Sequence, residues 1–349
     1  MVGETAIRGL TRPVGCAIHG NMAKRKTFDE QHSEIAALEQ APLTDNSRNL
    51  IKKHIQGRNS LLAARAIQAA VRLKLSDLEN EITGCFHRFM ENPVKNDKGC
   101  YAKIAVVKAL LRMNLNCEDV FMVGVRHIQM EPAFGPPVDT AEMLRVHCGE
   151  ALVQFNHPEM FRVLTRLLAD KQIAPRRAAA KLLGMIGGET SEMLLRLKLF
   201  CDDKEIEVTG ECMNSLMACA YESSLTLIKE YMDASDESIA MEAAMAVAQS
   251  SHPDAANTLI AAWENRFGIE PKKKLCLPIA ITRNDTAVKF LLDAVDSAHI
   301  DVAAEALDAL KIYKNDPGIV EEIKKIVRDR GNPKLISSIK EFGIQMNIR

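Results

Sequence analysis

The densest group of side chains able to move protons or hold charge lies between positions 126 and 145. There Arg126, His127, Glu131, Asp139, Glu142 and Arg145 surround the run Glu131-Pro132-Ala133-Phe134-Gly135-Pro136-Pro137-Val138. Imidazole titrates near neutrality, so His127 with Glu131 could perform general acid–base chemistry. The same residue types also serve as ion pairs and caps that fix a loop, and that reading is the favoured one. His127, His147 and Cys148 are zinc-ligand types, but neighbours on a helix point about 100° apart. No third ligand falls at a suitable spacing, so no metal or other cofactor is expected. Phe134 between prolines has the character of an exposed anchor. Arg126, His127, Glu131 and Phe134 are therefore a candidate binding loop, and no residue is assigned as catalytic.

A second group is spread along the chain in two polar columns three residues apart, a spacing that shares one helical face. One column holds His147, Ala178, Glu211, Glu242, Lys274 and Glu305, and the other holds Glu150, Lys181, Asn214, Met245, Leu277 and Asp308. Glu150, Glu211, Glu242, Glu305 and Asp308 stand against Lys181 and Lys274, a mildly acidic ladder. The candidate groove residues are His147, Glu150, Lys181, Glu211, Asn214, Glu242, Glu305 and Asp308. Such a ladder would hold a basic peptide or helix of a partner protein, or would be an ordinary solvated face.

These columns come from a repeat that advances by 31 to 33 residues, as from Leu144 to Pro175 and from Pro175 to Val208. An apolar first position (Leu144, Pro175, Val208, Ile239, Pro271, Val302) is followed four residues on by Cys148, Ala179, Cys212, Ala243, Leu275 and Ala306. Eight on stand Leu152, Leu183, Leu216, Val247, Ile279 and Leu310. A fixed step with matched residue classes predicts stacked helical hairpins, each too small to close its own core. The expected fold is all-α, an α-solenoid of about eight to nine hairpins.

Bulk properties agree. The chain has 349 residues, 47% hydrophobic but only 5% aromatic, which suits closely packed helices. Its net charge of −1 argues against a general nucleic-acid binder. Lys95, Lys98, Lys103, Lys108 and Arg112, with Arg65 and Arg72, still make the N-terminal third locally basic. No 18-residue apolar run exists, so a spanning helix is not expected. The nine cysteines show no CxxC spacing, and Cys148 and Cys212 sit on the small-residue column. Buried free thiols are the favoured reading, which points to the cytoplasm.

Residues 1–28 read as a disordered or extended arm, and 29–349 as a single solenoid. Within it lie divergent repeats at 29–113, regular repeats at 117–330 and a C-terminal cap at 331–349. A first helix near Glu118–Met130 should run into the proline-rich loop, after which Asp139 would cap the next helix. First helices should start near Pro158, Thr190, Ser223, Pro253, Thr286 and Pro317, with proline at the first helical position where it occurs.

The segment Pro175-Arg-Arg-Ala-Ala-Ala-Lys-Leu-Leu-Gly-Met-Ile-Gly187 resembles the HEAT-like repeat of the phycobilisome-lyase type. Val208–Met217, Ile239–Ala248 and Val302–Leu310 match more loosely, lacking the Arg and the glycines. The resemblance covers 117–343 well and 46–113 weakly. It implies an armadillo-type superhelix whose second helices line the concave face, and it is poor for function because such repeats serve scaffolds, adaptors and a few enzymes. Deoxyhypusine hydroxylases of this fold carry paired His-Glu ligands, whereas here His32 is followed by Ser33 and His157 by Pro158. DNA alkylation-repair glycosylases of related fold use a basic, aromatic concave face that these columns lack. The leading expectation is a non-catalytic scaffold or adaptor binding a protein or peptide in its groove. The alternatives are a bilin-lyase-like enzyme or cofactor chaperone, and nucleic-acid binding through the basic N-terminal repeats.

Overall fold

The computed structural model describes residues 26–341 apart from positions 39 and 41. The expectations for residues 1–25, including Cys16, and for 342–349 lie outside the described residues. Helix α1 (Phe28–Leu38) leads into hairpins formed by α2 (Asp45–Ile55) with α3 (Ser60–Arg72) and by α4 (Glu79–Met90) with α6 (Tyr101–Arg112). The turn between the latter two holds the short α5 (Pro93–Asn96). Next come α7 (Glu118–Gly124) with α8 (Glu142–Gln154), α9 (Met160–Leu168) with α10 (Ile173–Ile186), and α11 (Gly188–Phe200) with α12 (Ile206–Cys219). The array ends in α13 (Tyr221–Met232) with α14 (Glu237–Gln249), α15 (Ala255–Glu264) with α16 (Ile269–Ile281), α17 (Asp285–Ser297) with α18 (Ile300–Ala309), and α19 (Pro317–Arg330) with α20 (Pro333–Glu341). From α3 onward each second helix packs on the next, through α6, α8, α10, α12, α14, α16, α18 and α20. The described chain is an α-solenoid of stacked helical hairpins.

The repeat columns explain this stacking. All six residues of the middle column, and all six of the third, are 1% exposed or less. Leu144, Pro175, Val208 and Val302 of the first column are buried, while Ile239 and Pro271 are half-buried. Each buried aliphatic side chain contributes about 1.5–3 kcal/mol. Small residues set the spacing between helices. A Cβ on Gly184 would lie 2.7 Å from the Ser215 Cβ and 2.9 Å from its Cα, so α10 and α12 meet almost at backbone contact. The cysteines follow the same logic: Cys85, Cys100, Cys117, Cys148, Cys212 and Cys276 are buried free thiols.

Polar side chains join successive hairpins. Arg145 of α8 reaches the turn before α10, with Nε 2.7 Å and Nη2 2.9 Å from the Asp170 carboxylate. Arg176 of α10 repeats this one unit later on Asp203, at 2.8 and 2.9 Å. On the outer layer Arg88 donates to the Ile55 carbonyl, Arg266 to Met232, and Arg330 to Val295 and Ala298. Each places a cation at the C-terminal end of the previous first helix, where carbonyls lack partners.

Several local expectations need correction. Pro317 does open α19, but Pro158 and Pro253 lie in turns ahead of α9 and α15, which start at Met160 and Ala255. The first helix of the third hairpin ends at Gly124 and not near Met130. Asp236 caps α14 by accepting from the Ser238 and Ile239 N–H groups. Asp139 is not the N-cap of α8: that place falls to Ala141, which has no capping side chain, and Asp139 instead accepts from the Ala141 N–H at 3.0 Å.

Candidate functional site

The proline-rich run is not a loop. It forms the antiparallel hairpin β1 (Met130–Ala133) and β2 (Gly135–Asp139), pairing Met130 with Asp139, Glu131 with Val138, and Ala133 with Gly135. Proline forbids helix here but is tolerated where a strand has an open edge. Gly135, at φ +135°, makes the tight reversal beside Phe134.

A buried polar network holds the hairpin to the solenoid. One Glu131 oxygen accepts from the Gly99 N–H at 2.7 Å, Gln129 Nε2 at 2.5 Å and Thr140 Oγ1 at 2.7 Å. Burial pushes the Glu131 pKa up, but these donors outweigh it and hold the carboxyl below its usual range. The Gln129 amide also donates to the Asp97 carbonyl at 2.9 Å. Asp97 and Lys103 are fully buried and pair at 3.1 Å. Asp139 accepts from the Gln129 and Ala141 N–H groups and pairs with Arg145 at 2.8 Å. His127 contacts Gln129 through Nε2 at 3.1 Å, and burial lowers its pKa. His127 and Glu131 are thus each engaged with Gln129 and not with one another. Arg126 stays exposed. Beyond the network the hairpin is apolar and open: Phe134 is fully exposed, with Ile128 61%, Val138 52% and Met130 50% exposed.

The groove residues occupy the second helices. A depression of about 520 Å³ spans α8, α10 and α12, with Val146, Ala174 and Ala178 beside the more exposed Met143 and Ile173. Lys181 and Glu211 meet at its edge, together with Arg177 and Glu207. Glu211 pairs with Arg177 at 3.2 Å. His147 and Glu150 pair with each other at 2.7 Å, leaving the buried His147 Nε2 without a partner among the described residues. Asn214 Oδ1 is likewise buried and unpartnered. Glu242 lies against Gly210, Glu305 is half-buried on α18, and Asp308 pairs with Lys311. Lys274 pairs with Glu237 at 2.5 Å. The structure therefore brings Lys181 and Glu211 to one depression and leaves Glu242, Glu305 and Asp308 further along the array. The ladder is more nearly balanced in charge than the columns imply, because Arg177 lies one helical step outside them.

Among the described residues no cluster of His, Cys, Asp or Glu has the geometry to hold a metal ion. No described helix is long and apolar enough to cross a membrane. No protein-family model matches the chain, and no curated protein matches it. Among solved structures it is similar to the complex of CpcE and CpcF of phycocyanin lyase from Nostoc sp. PCC7120, at 13% identity over 87% of this chain and 95% of that one, with a TM-score of 0.35. It is also similar to human deoxyhypusine hydroxylase in complex with glycerol, at 15% identity over 82% of this chain and 98% of that one, with a TM-score of 0.28.

Proposed function

We propose that the chain is a scaffold that holds a segment of a partner protein against its second-helix face. The depression across α8, α10 and α12 carries this reading. It offers apolar surface from Met143, Val146 and Ile173 between charges of both signs, the arrangement of a protein interface with an apolar centre and a polar rim. Three successive hairpins contribute to it, so a partner segment would bridge repeats and not merely touch one. Arg177, Lys181, Glu207 and Glu211 on the rim would fix its register, since rim charges mainly set specificity and association rate.

The test is site-specific photocrosslinking. A benzophenone amino acid at position 178, inside the depression, should capture one defined protein from a lysate, and the same group at exposed position 204 should not. Capture at 178 should fall when Ile173→Asp and Met143→Asp are introduced. Indistinguishable products from the two positions would refute the assignment.

A further inference from the structure

Beside the base of the hairpin, on a surface separate from the second-helix depression, lies a small cavity of about 210 Å³. Its walls carry Arg126, from the segment between α7 and β1, and Arg162 and Arg166, one turn apart on α9. Buried Val163 and Leu167 line it between them. Arg162 pairs with Glu159 at 2.8 Å. Arg126 and Arg166 form no ion pair among the described residues. Three guanidiniums against one carboxylate leave this cavity at +2, next to an apolar lining that strengthens the field of its charges.

Elsewhere in this chain arginines at repeat junctions have acceptors: Arg145 has Asp170, Arg176 has Asp203, and Arg88, Arg266 and Arg330 have helix-end carbonyls. The pair Arg126 and Arg166 departs from that pattern. Guanidinium is a planar fork of donors matched to oxyanions, and two such residues lining one cavity suit a group with several acceptor oxygens. A phosphate monoester carries about −1.5 to −2 charges at neutral pH, which balances the excess here, whereas one carboxylate would leave it half neutralised. We infer that the cavity between Arg126, Arg162 and Arg166 binds the dianionic phosphoryl group of a phosphate monoester.

The test follows arginine Nε–Hε NMR signals of the full chain during titration with inorganic phosphate at constant ionic strength. The Arg126 and Arg166 signals should move along a saturating curve with one common dissociation constant, tighter at pH 7.5 than at pH 6, where phosphate is largely monoanionic. The R126Q/R166Q variant should lose at least tenfold in affinity. Both side chains are exposed, so its circular dichroism should match that of the parent. A phosphoserine peptide binding at least tenfold tighter than inorganic phosphate assigns the group to a modified partner protein; equal affinity assigns it to a small phosphate ester. Either result upholds the site. Non-saturating drift shared by other surface arginines, or unchanged affinity in R126Q/R166Q, overturns it and leaves the second-helix reading untouched.

Discussion

Replacing Arg145 tests how the hairpin and two successive repeats are locked together. Its side chain is 4% exposed and faces Asp139, 5% exposed, and Asp170, 13% exposed. It also donates to the His127 carbonyl at 3.0 Å. Burial disfavours its charge, but the bonds and attraction of Asp170 and Asp139 outweigh that and raise its pKa. Arg145→Met keeps the apolar stem and deletes the charge, leaving the carboxylates of Asp139 and Asp170 without their cation. Removing one partner of such a pair costs about 3–5 kcal/mol. Asp139 retains two backbone N–H donors and Asp170 retains that of Gln172 and some contact with water, which places the expected loss near the lower end, about 3 kcal/mol. Repeat arrays need not unfold in one step, so the proper assay is local hydrogen exchange. Amides of α8 and of the β1–β2 hairpin should exchange about 100-fold faster, since 1.4 kcal/mol is tenfold. Neutralising the stranded acids as well, in R145M/D139N/D170N, should recover part of the loss. A loss under about 1 kcal/mol in R145M would refute the reasoning, as would a triple variant no better than R145M.

Other perturbations probe different parts of the array. Gly184→Val should cost about 1–3 kcal/mol by forcing α10 away from Ser215. Gly84→Ala, where an added Cβ meets nothing within 4 Å, should gain about 0.5–1 kcal/mol; urea midpoints moving in the same direction would contradict this. Burial pushes the Asp203 pKa up, but Arg176, Lys198 and the Glu205 N–H outweigh it and hold the carboxyl at about 2 against an ordinary 3.8. A depressed pKa contributes stability that is present above the ordinary value and lost as pH falls towards 2. Asp203 should therefore contribute about 2 kcal/mol at pH 5, and D203N should flatten the acid limb of the stability profile. Burial pushes Cys85, Cys117, Cys212 and Cys276 up to about 12, whereas Cys201 is exposed. Iodoacetamide at pH 8 should label Cys201 well before those four in mass spectra of the folded protein, and equal rates would count against their burial.

The sequence by itself determined the repeat. A step of 31–33 residues with matched apolar and small positions can be satisfied only by helices that cover one another, and every middle- and third-column residue is buried accordingly. Burial depends on residue class at a fixed period, which a linear chain displays. The run from 131 to 138 was legible as a break in helix, because proline removes a donor wherever it stands. Its pairing as a hairpin was not, since Glu131 is held by Gly99, 32 residues away in sequence. The groove columns were legible as a shared helical face, but their charge was not, because Arg177 reaches Glu211 across a helix–helix boundary. The spacing of Arg162 and Arg166 marks one face of α9, yet only the tertiary structure carries Arg126 to it. Period fixes which residues are hidden; the partners of charged groups depend on distances between turns that only the packed helices set.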